Sequence, residues 1–204
     1  MQIHKFIPLL RTLFTLIFLL TYISGYSQTE NFFKIKTGIG YPIPNSVRTL
    51  DKYWKGRINL DLNLERVFVK NTYFGTGQIF SSFSSGYRIL PEHSSYFINP
   101  YVSLSHELCI HKRISFIPSI KGGYCFIIYS SKVYSHKIPP SHGPSIASKF
   151  EMLYKYTENS SLGLAFSYNH IYTSFNFPSV TFGIYEYDKH TKYRVIALQF
   201  VRSL

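Results

Sequence analysis

The stretch YNHIYTSFNFPS, Tyr168 to Ser179, invites a nucleophilic reading, with His170 as base and Ser174 as nucleophile. A serine attacks only when a base within hydrogen-bonding reach takes its proton. In a strand, an offset of four keeps both side chains on one face but separates them by roughly 13 Å. The spacing argues against a catalytic pair, and no catalytic residue is assigned. His136 and His142, in SHKIPPSHG, raise the question of Zn²⁺ or Cu²⁺. A stable site takes three or four ligands, and no cysteine or carboxylate stands near them. That stretch reads as a solvated loop, with neither metal nor cofactor expected. Cys109 precedes the turn-like IHKR, whereas Cys125 lies far up the following strand. A hairpin holds them too far apart for a disulfide, so both should be free thiols, Cys125 packed among its neighbours.

The remaining chemistry is electrostatic. The chain carries 22 Lys and Arg against 10 Asp and Glu. No Lys/Arg run or nucleic-acid motif is present, so a nucleic-acid partner is not expected, and lipid phosphate is the simpler attraction. The first residues, MQIHKFIPLLRTLFTLIFLLTYISGYSQ, place Lys5 and Arg11 ahead of or at the start of an apolar run, with Gly25 and Ser27 after it. This is the layout of a secretory signal peptide over 1–27, cut between Ser27 and Gln28. An apolar run of about a dozen residues falls short of the roughly 20 that a retained helical anchor needs. Removal of Lys5 and Arg11 leaves a mature charge of about +10 by count. The remaining 28–204 suit one domain.

These side chains must be held by strands. RINLDLNLER, from Arg57 to Arg66, alternates apolar and polar residues, and seven further segments read as strands: Phe32 to Tyr41, Thr72 to Phe83, Tyr96 to Leu108, Ile114 to Phe126, Ser145 to Tyr156, Ser161 to Tyr172 and Tyr193 to Arg202. The connections alternate between long, such as PIPNSVRTLDKYWKG, and short: VFVKN, CIHK and TENS. In an up-and-down sheet this collects all short turns at one end and all long loops at the other. Strands of about nine to eleven residues, tilted near 40°, span the roughly 25 Å apolar band of a membrane barrel. The expected fold is all-β: an eight-stranded antiparallel up-and-down transmembrane barrel.

On most strands one parity is apolar, with aliphatics mid-strand and tyrosines toward the ends, as lipid and its boundary favour. The other parity is small or charged, which suits an interior only just wide enough for side chains. It holds Lys34, Lys36, Arg57, Lys121, Lys149 and Lys155 against Asp61, Glu65, Glu107 and Glu151. A mixed-sign cluster supplies the partners that buried charges need, and with eight strands leaving little open bore, solute passage is not expected to be the main role. Three features resist: Pro118 must leave a ladder bond unmade, TYFGTGQIFSSF has no clean parity, and His106 and His170 fall on the lipid parity. Trp54, beside Tyr53, reads as an interfacial anchor or loop-packing residue.

Through the leader ending SGYSQ, GIGYPIP, the hairpin HKRISFIPSIKGGYCF and the terminal YRVIALQFV, the chain resembles the small eight-stranded, porin-like outer-membrane β-barrels of Gram-negative bacteria. The resemblance implies outer-membrane location, outward long loops, periplasmic termini, a monomer, and insertion by the outer-membrane assembly machinery. That machinery favours a terminal aromatic; Phe200 has the right parity, though Leu204 ends the chain. Outer-membrane lipid A deacylases are similar barrels whose nucleophilic serine lies two residues after the histidine. Tyr172 stands there in this chain, against deacylase activity. The expected function is thus a non-enzymatic structural or surface-interaction role in the envelope. A soluble lipocalin-like exported barrel, its leucines lining a cavity, is the alternative. Arg48, Lys52, Lys55, Lys132 and Lys137, at the long loops, are the candidate contacts for anionic lipid, most simply lipopolysaccharide phosphate.

Overall fold

A computed structural model describes residues 33–45, 54–85, 93–131, 140–173 and 190–204. The leader over 1–27 lies outside these residues. The strands are β1 Phe33–Pro44, β2 Trp54–Val69, β3 Thr72–Ser85, β4 His93–His106, β5 Leu108–His111, β6 Ile114–Ser131, β7 Ser141–Lys155, β8 Ser160–Ile171 and β9 Thr191–Ser203. All neighbours pair antiparallel in the order β4-β3-β2-β1-β9-β8-β7-β6-β5, and the β4–β6 pairing closes the sheet. β4 and β5 are one stave. Ser105↔Ser119 and Leu108↔Phe116 keep one register on β6, and between them the ladder lapses around Pro118, which has no N–H to donate. The same lapse occurs opposite Pro100, where pairing stops at Ile98↔Phe126 and resumes at Tyr101↔Gly123. The fold is therefore a closed eight-stranded antiparallel barrel.

Tight turns at Lys70–Asn71, Lys112–Arg113 and 156–159 share one end with the strand ends Phe33 and Ser203. Asn71 takes φ 61°, a left-handed value that its short polar side chain tolerates. The connections at the other end contain 46–53, 86–92, 132–139 and 174–189, outside the described residues. Toward this loop end the strands run longer than a lipid band requires. β2 begins at Trp54 rather than Arg57, and β6 has 18 residues, ending at Ser131.

The leucines of RINLDLNLER point outward: Leu60, Leu62 and Leu64 are 44%, 57% and 43% exposed, whereas Asp61, Asn63 and Glu65 are buried. The lipocalin-like alternative required those leucines to line a cavity, and it fails here. Leu104, Ile120, Met152, Leu164 and Leu198 continue the outward apolar belt around the barrel, the surface that a bilayer solvates and water does not. β3 also has a parity: Tyr73, Gly75, Ile79, Ser81 and Phe83 face inward, and Phe74, Thr76, Gln78 and Phe80 outward. Small or polar residues on both of its faces hid the pattern.

Along each strand the interior changes character. The turn-end half holds charges, but the loop-end half is an apolar core of Trp54, Phe83, Phe97, Cys125, Ile127, Tyr129, Ile171, Tyr193 and Val195. Outside it lie Lys55, Ser84, Ser94 and Ser130. Above the apolar belt the interior thus becomes apolar, while polar residues join Ile43 and Ile128 on the outside. Trp54 is 4% exposed within this core; it is a packing residue of the interior and not an interfacial anchor. Cys109 is exposed, Cys125 buried, and both are free thiols.

Candidate functional site

The turn-end half of the lumen is crossed by an ion-pair network. Lys36 on β1 lies 2.9 Å from both Glu65 on β2 and Glu151 on β7. Lys149 joins Glu151 at 2.7 Å to Asp61 at 2.8 Å, and Lys121 on β6 reaches the same Asp61 oxygen at 2.6 Å. β2 and β7 stand on opposite sides of the closed order, so the Asp61–Lys149 pair spans the bore. Tyr101 donates to the other Asp61 oxygen at 2.6 Å, and its ring lies under the Lys121 ammonium. Lys149 also donates to Gln199 Oε1 at 2.7 Å, and Asn63 to Glu65 at 2.9 Å. Nearer the turns, Lys34 pairs with Glu107 at 2.5 Å, and Tyr73 and Ser115 donate to the same carboxylate.

Eight of the ten residues expected in the lumen are brought together: Lys34, Lys36, Lys121 and Lys149 with Asp61, Glu65, Glu107 and Glu151. Two are corrected. Arg57 sits at a β-bulge, where the register on β3 shifts between Gly56 and Ile58, and its side chain is exposed. An extra residue resets the alternation, so extrapolating parity back from Asp61 misplaces it. Lys155 ends β7 and is likewise exposed at the turn end. Their loss leaves four ammonium groups against four carboxylates, a neutral set that a low-dielectric interior favours. Tyr101, Tyr73 and Gln199 were not foreseen in it. Each lies on the lumen parity, but aromatic and amide side chains carry no charge to flag them.

Of the loop cations, Arg48, Lys52, Lys132 and Lys137 lie outside the described residues, and Lys55 is exposed near the start of β2. His170 faces outward on β8; its ring stacks on Tyr172 at 4.3 Å and meets His190 at 5.2 Å. Ser174 and His136 lie outside the described residues, and His142 contacts the Tyr124 hydroxyl at 2.6 Å. His106, also outward, contacts Thr72 Oγ1 at 2.9 Å beside the turns. Both histidines on the lipid parity thus sit near strand ends.

An outward apolar belt around a charge-neutral, side-chain-filled lumen defines a small outer-membrane-type β-barrel. Comparison with solved structures gives the same fold. The chain is similar to Neisserial surface protein A, with a TM-score of 0.56 and 12% identity over 83% of this chain and 96% of that one. It is also similar to Ail, the attachment invasion locus protein of Yersinia pestis, solved with the heparin analogue sucrose octasulfate. That likeness has a TM-score of 0.53 and 11% identity over 85% of this chain and 99% of Ail. No protein-family model matches the chain, and no curated protein matches it in sequence.

Proposed function

We propose that this chain is an exported, non-enzymatic outer-membrane barrel with a structural or surface-interaction role in the envelope. The observation that carries the reading is the continuous exposed aliphatic belt, Leu62 and Ile120 among its members, around an interior in which every lysine of the network meets a carboxylate. In this reading residues 1–27 are a leader removed after Ser27, the tight turns and both termini are periplasmic, and the long loops face outward. The assembly machinery of the outer membrane inserts the chain, which acts as a monomer. With the bore filled, recognition falls to the loops, whose cations Arg48, Lys52, Lys55, Lys132 and Lys137 attract anionic lipid, lipopolysaccharide phosphate in the first instance. That Ail is known with a polyanionic sugar analogue favours an anion-binding role for a barrel of this fold.

The test is fractionation of expressing cells with heat-modifiable gel mobility. The protein should sediment with outer membranes and shift in mobility on boiling. A soluble periplasmic chain without the shift sinks the proposal. Changing Lys52, Lys55, Lys132 and Lys137 to Gln should weaken lipopolysaccharide association in a salt-dependent way and leave the shift intact.

A further inference from the structure

We propose that Lys192 and Arg194, with the rings of His170, Tyr172 and His190 beside them, form a binding site for the phosphate of an outer-leaflet glycolipid on the barrel's outward face. The inference rests on the membrane reading above but concerns strand residues, not the loop lysines. Thr191, Tyr193 and Val195 point inward and are at most 2% exposed, as are Asn169 and Ile171. Alternation therefore turns Lys192, Arg194, His170 and Tyr172 outward. The register sets Lys192 beside His170 and Arg194 beside Tyr168. His190 meets both His170 and Tyr172 edge-on, at 5.2 and 5.5 Å.

Among the described residues the cluster has no counter-charge. No carboxylate stands on the outward face of β7, β8, β9 or β1, and neither Lys192 nor Arg194 has an ion-pair partner among the described residues. Two other cations at the turn end are engaged: Arg113 donates to the Tyr154 hydroxyl at 3.3 Å, and Arg66 lies over the Phe33 ring. Position selects a lipid over free phosphate. On the same face Arg194 is followed by Ile196 and Leu198, and His170 is preceded by Phe166 and Leu164, all exposed. An acyl chain whose phosphate sits between Lys192 and Arg194 runs down over that apolar surface. Tyrosine and histidine rings at the junction suit the boundary between headgroup and hydrocarbon.

The experiment folds the mature chain into phosphatidylcholine nanodiscs containing lipid A, lipid A stripped of phosphate, or phosphatidylglycerol, and counts lipid retained after detergent extraction by native mass spectrometry. Lipid A should be retained, and the Lys192→Gln/Arg194→Gln protein should retain about 25-fold less, each cation near an anionic surface giving roughly a five-fold factor. Dephosphorylated lipid A should be lost from both, and Lys112→Gln, at the opposite, turn end of the barrel, should retain as wild type does. Equal retention by wild type and the double variant overturns the site, as does displacement of lipid A by millimolar inorganic phosphate or equal retention of phosphatidylglycerol. If the double variant does not fold, the wild type alone decides: retention must fall steeply between low salt and 0.5 M salt, and salt-independent retention overturns the site. A wild-type chain without heat-modifiable mobility in any bilayer defeats the membrane reading itself. A folded barrel that retains no lipid A defeats only the site.

Discussion

Asp61 is the residue on which the lumen turns, because two ammonium groups share one of its oxygens. Asp61→Asn leaves Lys121 with no carboxylate among the described residues and Lys149 with Glu151 alone. Removing one member of a buried charge set strands the others, at a cost of about 3 to 5 kcal/mol. Glu107→Gln should cost less, about 1 to 2 kcal/mol, because the Lys34–Glu107 pair is 13% and 19% exposed and water reaches it. Urea unfolding of both variants in lipid vesicles checks the order, and equal losses would contradict the graded burial. The charged members of this network were legible in the sequence because strand parity assigns a face without knowledge of contacts. Arg57 was not legible, since a bulge at Gly56/Ile58 leaves no mark in composition. Nor was Tyr101, whose place depends on a cross-strand partner that only the register reveals.

At the scale of a strand, two glycines of similar sequence context carry opposite constraints. Gly77 on β3 faces inward, and a Cβ there meets Leu62 O at 2.2 Å and the Tyr101 hydroxyl at 2.6 Å. The Tyr101 ring covers the gap that the missing side chain leaves, a known device for glycine in sheets, and so reaches Asp61. Gly122 on β6 faces outward, and a Cβ there meets nothing within 4 Å. Gly77→Ala should therefore cost about 1 to 3 kcal/mol and loosen Tyr101, whereas Gly122→Ala should be neutral or slightly stabilising. Comparable losses would show that neither contact matters. β3 has a second exposed oddity in Gln78, an amide on the lipid face between Leu62 and Pro100 in the ladder. Gln78→Leu should stabilise the barrel by about 1 to 3 kcal/mol, since hydrocarbon offers the amide no hydrogen bond. Leu62→Arg beside it should cost about 2 to 4 kcal/mol. Eight staves, their order and the short-turn end were readable from alternation and loop length. The strand extensions at the loop end were not, because there serines and lysines mix with apolar residues on the outward face while the inward face turns apolar, and the simple membrane pattern stops.

At the scale of the molecule, that reversal divides one barrel into two kinds of interior. In the belt region lipid covers the outside and ions fill the inside; toward the loops Lys55, Ser84, Ser94 and Ser130 join Ile43 and Ile128 on the outside, and Trp54, Phe83, Phe97 and Tyr193 fill the inside. The two halves should respond differently to loss of an aromatic ring. Phe97 is fully buried, 4.8 Å from Phe83 and 5.6 Å from Tyr193 between ring centroids. Phe97→Ala leaves a cavity that closed staves cannot collapse into, at about 3 to 5 kcal/mol. Phe150 is 45% exposed on the outward face and stacks on Phe116 at 6.0 Å. Phe150→Ala should lose far less in a bilayer, because lipid tails are as apolar as the ring and fill the space it leaves. Urea unfolding of the vesicle-folded protein, followed by Trp54 fluorescence and by heat-modifiable mobility, measures both. If the two substitutions cost the same, the loop-end cluster is not a packed core, and the division of the barrel proposed here falls with it.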